Sequence, residues 1–219
     1  MIEVFELSWE EQKKELAKTV AKALFESNAI KFGDFTLTSG KKSPYYIDLR
    51  AVPSYPEQFD VITDAYKELV LNECGPKCTL VGVPTAGVPF ASVVGLKAKL
   101  PVAYIRKEAL NGESREHGTG KDIEGVIRDG MAPVLVDDLV STGGSNLKAK
   151  AAMERNGHPV SDVYFLVDRQ MGGIEKLKAE GLNVHYIVDV LDIVAALESE
   201  GLLDAELAGK VREYTEASK

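Results

Sequence analysis

The stretch Pro133-Val-Leu-Val-Asp-Asp-Leu-Val-Ser-Thr-Gly-Gly-Ser145 carries the densest chemistry in the chain: an apolar run, two adjacent acids, then a loop of hydroxyl and glycine residues. Small residues let a backbone fold tightly around an oxyanion with several N–H groups pointing inward. A helix that starts at 144 or 145 adds the partial positive charge of its N-terminus, so a phosphate monoester fits there without a lysine. Asp137 and Asp138 would repel that phosphate if they faced it. They make sense facing a neutral polyol, where they accept hydrogen bonds from hydroxyls and favour positive charge developing on a sugar ring. Three further segments hold reactive groups. Tyr104-Ile-Arg-Lys107 runs into a polar loop with Ser114-Arg-Glu-His-Gly-Thr-Gly120, which places Arg106, Lys107, Arg115 and His117 on what reads as a mobile flap. Phe165-Leu-Val-Asp-Arg-Gln170 ends an apolar run on Arg169, whose planar fork can hold a carboxylate through two hydrogen bonds. Phe35 to Asp48 contains a glycine turn, Ser-Pro, and the pair Tyr45-Tyr46; these rings either stack on a flat ligand or fill the core of a hairpin.

The elements that must position these groups follow from hydrophobic periodicity. Ser8-Trp-Glu-Glu11 has the form of a capping box and opens a helix that runs to 27 or 28. From residue 57 onward helices and short apolar runs alternate. Helix is expected over 57–74, 87–99, 144–156 and 174–180, and strand over 79–83, 101–105, 133–136, 162–167 and 183–188. The segment 191–215 reads as helical. Apolar strands separated by helices imply an α/β fold with a parallel sheet flanked by helices on both faces. Ligands of such sheets bind beyond the carboxyl ends of the strands, where the motifs above fall.

Composition narrows the partners. The chain has 219 residues, 45% of them hydrophobic and 27% charged, so one compact domain is expected over 1–219. Its net charge of −8 argues against nucleic acid, which needs a basic footprint. No apolar stretch approaches the ~20 residues of a membrane helix, and the N-terminus lacks the basic region of a signal peptide, so no membrane partner and a cytoplasmic location are expected. Cys74 and Cys78 have no second ligand pair nearby; reduced thiols rather than zinc are expected.

The 133–145 segment resembles the phosphoribosyl diphosphate signature of the type I phosphoribosyltransferases. The Phe35–Asp48 segment, the Arg106-Lys107 flap and the Asp168-Arg169 run with Gly172-Gly173 resemble the orotate branch of that family, in the same order along the chain. The resemblance implies the type I fold, with residues of about 1–50 forming a small N-terminal hood over the base. It implies that Asp137, Asp138, Leu139, Val140, Ser141, Thr142, Gly143, Gly144 and Ser145 bind phosphoribosyl diphosphate, together with Arg106, Lys107, Arg115 and His117. Orotate would be held by Arg169, Ser141, Tyr45 and Tyr46. Catalysis would fall to Lys107, Arg115, His117, Asp137 and Asp138. The reaction implied gives orotidine 5′-phosphate and diphosphate in UMP biosynthesis, with Mg2+ held mainly by the substrate and no direct protein ligand. A homodimer sharing flap residues between subunits is implied too. The chain departs from the family at Thr38, where a ligand-contacting lysine is usual, and at Arg115, where lysine is usual and Lys121 is a substitute. Thr85 and Ala86 in Val83-Pro-Thr-Ala-Gly87 replace a Tyr-Lys pair, so only backbone contacts to diphosphate carry over there.

Overall fold

The computed structural model describes residues 7–36, 40, 42–112 and 121–218. Helix α1 (Trp9–Glu26) begins as its sequence requires: the Ser8 hydroxyl accepts from the Glu11 N–H, and the Glu11 carboxylate accepts from the Ser8 N–H at 2.9 Å. Val20, Ala21, Ala23 and Leu24 form its buried stripe. Strands β1 (Ile30–Thr36) and β2 (Lys42–Ile47) then pair antiparallel as a separate two-stranded sheet, with an irregular register between Phe32 and Phe35. A short 3-10 turn (Leu49–Ser54) leads into α2 (Pro56–Glu73).

The central sheet is built from β3 (Cys78–Gly82), β4 (Val102–Ile105), β5 (Ile123–Gly125), β6 (Ala132–Val140), β7 (Asp162–Asp168) and β8 (Asn183–Asp189). Their spatial order is β5-β4-β3-β6-β7-β8, parallel throughout except for the antiparallel edge strand β5. Successive strand residues fall in two separate apolar clusters, Leu80 against Val81, Val134 against Leu135 and Tyr164 against Phe165. Both faces of the sheet are therefore buried, as expected for parallel strands. Helices α1, α2, α3 (Gly87–Ala98) and α6 (Val190–Ser199) pack into one cluster, while α4 (Gly144–Arg155) and α5 (Gly173–Ala179) pack into the other. The last helix is α7 (Ala205–Glu216). From β3 the chain crosses outward through α3 to β4, and from β6 it crosses the other way through α4 to β7. That reversal between β3 and β6 opens a crevice at their carboxyl ends, where ligands of open α/β sheets bind.

Three expectations are corrected. Strand β6 does not stop at 136 but continues to Val140, because its ladder with β7 persists through Leu139↔Val167 and Val140↔Asp168. The helix expected over 191–215 is two helices, interrupted where Gly201 takes a φ of 70°. Strands β1, β2 and β5 add to the expected set; β5 has only three residues, too few for a periodic signal. Among the described residues no helix is long and apolar enough to cross a membrane. Cys74 and Cys78 are free and lie side by side where α2 turns into β3.

Candidate active site at the sheet switch point

The crevice begins where β3 and β6 touch. The Val83 N–H donates to the Val136 carbonyl at 2.9 Å, and the chain then turns through 84–86 into α3. Gly87 is seated so closely that a Cβ there would stand 2.4 Å from the Val136 carbonyl oxygen and 2.9 Å from the Asp137 Cα. Only glycine permits this approach, which lays the 83–87 turn against the backbone of the acid pair.

Asp137 and Asp138 sit inside β6, 7% and 9% exposed. Asn146, reaching back from the first turn of α4, donates to Asp137 Oδ2 at 2.8 Å, and the Asp138 N–H donates to Asp137 Oδ1 at 3.0 Å. Below them the fully buried Tyr66 hydroxyl lies 2.6 Å from the Tyr164 carbonyl and 2.9 Å from that of Asp137, tying β6 to β7. Burial pushes the Asp137 carboxyl well above the usual range, and the neighbouring Asp138 charge adds to this. Burial also raises Asp138, opposed by its hydrogen bond to Asp137, by backbone N–H groups and by the Arg50 charge. Two adjacent buried acids thus resist carrying two charges until something polar or cationic joins them.

The oxyanion loop is shorter than the sequence implies. Leu139 and Val140 belong to the strand, and Val140 is buried in the core, which removes their side chains from the loop. The turn consists of Ser141, Thr142 and Gly143, with Gly143 at φ 71° as the cap of α4, and Gly144 and Ser145 opening that helix. Thr142 and Ser145 are exposed.

Arg169 stands beside this turn. Its N–H donates to the Val140 carbonyl at 3.0 Å, and its guanidinium lies 5.4 Å from the centre of the Tyr45 ring, with Nη1 3.5 Å from the Ser141 hydroxyl. Nε is buried and has no hydrogen-bond partner. The 169–173 loop rests directly on the phosphate turn: a Cβ on Gly173 would meet the Ser141 carbonyl at 2.5 Å and Val140 Cγ2 at 2.6 Å. Tyr45 corrects the expected base-stacking role. It is 0% exposed, edge-on to Tyr214, and its faces serve the core and Arg169 rather than a ligand. The alternation of a strand puts its neighbour Tyr46 outside, 39% exposed and tilted against Phe35 at 5.8 Å.

On the far side of the 83–87 turn lies a cavity of about 490 Å3, lined among others by Pro84, Thr85, Tyr104, Arg106, Lys107 and Glu108. Lys107 is exposed at its edge. Arg106 is not free, since its Nε donates to Glu124 Oε1 at 2.7 Å across β4 and β5. Arg115, His117 and Thr38 lie outside the described residues. Lys121 is exposed just before β5.

Sequence reasoning missed Tyr66 and Asn146, and named Gly87 only as the end of the 83–87 turn. Asn146 had a readable signal, because Asn146, Ala149, Ala152 and Met153 share the buried face of α4, and a polar residue on that stripe needs a partner. Among the described residues no group of three or more His, Cys, Asp or Glu side chains is arranged to hold a metal.

The model of the phosphoribosyl transferase domain matches residues 52–190 of the chain. The orotate phosphoribosyltransferase of Cenarchaeum symbiosum is 36% identical over 194 residues, which cover 88% of this chain and 94% of that protein. Among solved structures, the UMP synthase of Leishmania donovani superposes with a TM-score of 0.79 at 29% identity, covering 93% of this chain and 43% of that one. The orotate phosphoribosyltransferase of Mycobacterium tuberculosis in complex with 5-phospho-alpha-D-ribosyl 1-diphosphate superposes with a TM-score of 0.61 at 25% identity, covering 83% of this chain and 98% of that one. With the family model spanning most of the chain and the relative aligned nearly end to end, the chain belongs to the orotate phosphoribosyltransferase family.

Proposed function

We propose that the protein transfers the 5-phosphoribosyl group of phosphoribosyl diphosphate to N1 of orotate, releasing diphosphate and forming orotidine 5′-phosphate for UMP biosynthesis. The observation that carries this reading is Arg169: a half-buried guanidinium beside the 141–143 turn, with Nη1 3.5 Å from the Ser141 hydroxyl. A carboxylate on the acceptor base satisfies that fork, and orotate carries one where uracil and the purine bases do not.

In this reading the turn of Ser141, Thr142 and Gly143, with Gly144 and Ser145 at the start of α4, holds the 5-phosphate through backbone N–H groups and the helix end. Asp137 and Asp138 accept hydrogen bonds from the ribose hydroxyls. The C1–O bond to diphosphate breaks as N1 of orotate closes on C1, the N1 proton passing to the departing diphosphate or to solvent, and the sugar passes through an oxocarbenium-like state that the acid pair favours electrostatically. Lys107, Arg115 and His117 neutralise the leaving diphosphate, and flap closure over the crevice excludes water. Arg106 has the part of bracing the flap base through Glu124. Tyr46, exposed next to Phe35 on the hairpin, is the aromatic this reading assigns to the border of the base.

Mg2+ is the expected cofactor. The donor set suits an ion brought by the substrate: Asp137 and Asp138 stand as a pair, with no third His, Cys, Asp or Glu grouped with them among the described residues. When bound, the ion lends Lewis-acid stabilisation to the diphosphate. A homodimer in which an exposed Lys107 serves the neighbouring site fits the placement of the flap base and the oxyanion turn on opposite flanks of the crevice.

The test is a panel of orotate, uracil and purine bases with phosphoribosyl diphosphate and Mg2+, read as diphosphate release. Turnover confined to orotate is expected. A purine as the best acceptor overturns the base assignment. Binding of phosphoribosyl diphosphate without release for any base would make the protein a binding module instead.

A further inference from the structure

The loop that carries Arg169 is anchored by a residue that sequence gives no reason to single out. Strands β7 and β8 end in register, with Asp168 opposite Asp189. Gln170 ties both ends together: its N–H donates to Asp168 Oδ1 at 2.8 Å and its Nε2 donates to Asp189 Oδ2 at 2.5 Å. To do so it takes a φ of 53°, a left-handed conformation that a non-glycine residue holds only when its surroundings over-determine it. Asp189 is itself held in place, because its other oxygen accepts the Leu191 and Asp192 N–H groups at 2.8 Å as the cap of α6.

The rigid start of α6 is thereby linked through Asp189 and Gln170 to Arg169. On its other side Arg169 has the Val140 carbonyl on its N–H, a long contact to Ser141 and the Tyr45 ring. The side-chain contacts are long and the firm hydrogen bond is on the backbone N–H, so the aim of the fork depends on the backbone that bears it. The amide suits this position where an acid would not. Its donor end faces the Asp189 carboxylate, whereas a carboxylate there would oppose a carboxylate. Gln170 Oε1 is buried with no partner, so the donor end alone sets the amide's orientation.

We propose that Gln170 is a positioning residue that, clamped to Asp189, aims the Arg169 fork at the carboxylate of the acceptor base and so sets selectivity for a carboxylated pyrimidine. This rests on the reading of Arg169 as the base-carboxylate residue. Gln170 touches no reacting atom; it acts through the arginine.

The experiment is steady-state kinetics on the full chain with Gln170→Glu, Gln170→Leu, and Gln170→Glu combined with Asp189→Asn, with folding followed by thermal melting. Gln170→Glu and Gln170→Leu should each raise KM for orotate about tenfold, while KM for phosphoribosyl diphosphate stays within about twofold; a tenfold change corresponds to ~1.4 kcal/mol. The double variant restores the clamp with reversed polarity, since the amide introduced by Asp189→Asn donates to the carboxylate introduced by Gln170→Glu and still caps α6. It should recover most of the orotate KM. The Gln170→Glu defect should also shrink as pH falls and the paired acids take up a proton. Equal losses for both substrates, or no recovery in the double variant, overturn the positioning role while leaving the functional reading intact. A parent enzyme that does not prefer orotate overturns that reading, and this inference with it. Leucine keeps the test decisive if the glutamate variant does not fold.

Discussion

Removing the Arg169 guanidinium isolates the one interaction that separates orotate from uracil. Arg169 is half-buried and its Nη1 has only a 3.5 Å contact to Ser141, so its outer N–H groups are the ones a ligand can meet. Truncating one partner of a desolvated charge pair costs ~2–5 kcal/mol, much of it the penalty on the group left behind. Arg169 is only partly buried, which favours the lower end; ~2 kcal/mol is roughly thirtyfold in kcat/KM. Arg169→Ala should therefore reduce orotate efficiency by at least about tenfold and reduce the poor reaction with uracil much less. Arg169→Lys should recover only part, lacking the planar fork. Arg169→Ala also strips the cation from the Tyr45 face, worth ~0.5–2 kcal/mol of folding stability, so melting temperatures must accompany the kinetics. The assay compares kcat/KM for both bases in the parent and the two variants. Equal losses for orotate and uracil would mean that Arg169 supports the fold or the sugar, and would refute the assignment.

Three other perturbations follow from the geometry. Lys107→Ala should depress kcat far more than it weakens orotate binding, as its charge is needed where the leaving group turns negative. Mixed with an Asp137→Asn, Asp138→Asn variant, it should regain partial activity if subunits share flaps; no rescue despite demonstrated subunit exchange would remove the shared site. Because folding raises the Asp137 and Asp138 pKa values, the pair's stabilising contribution is complete below the unfolded aspartate value of ~3.9 and is lost as pH rises through the folded values. Asp138→Asn should thus raise the melting temperature at neutral pH, by a margin that narrows toward pH 4, while turnover collapses; a margin that grows on acidification would contradict the sign. Gly173→Ala forces a Cβ to within 2.5 Å of the Ser141 carbonyl, so the phosphate turn must shift. A loss of ~1–3 kcal/mol of stability and a higher KM for phosphoribosyl diphosphate are expected, and unchanged kinetics would show that the two loops are not coupled.

What was legible in the sequence is whatever is local. The strand, acid pair, turn and helix N-terminus that form the oxyanion site fall within 133–145, so their order and turn chemistry can be read directly. The capping box at Ser8 and Glu11 closes over three residues and is equally legible. The alternation of apolar runs and helices specifies a helix-covered parallel sheet, and hence the edge at which ligands bind. Tertiary structure decided the rest, because the partners are remote. Pairing with β7 carries β6 past the apparent end of the apolar run and takes Val140 into the core. Tyr45 and Tyr46 look interchangeable in sequence, but packing against Tyr214 and Arg169 buries the first and strand alternation exposes the second. Tyr66 meets Asp137 across 71 residues, Arg169 meets Ser141 across 28, and Gln170 meets Asp189 across 19. No periodicity encodes such pairings. They exist because the sheet brings the carboxyl ends of β3, β6, β7 and β8 to one edge, where side chains of separate segments meet.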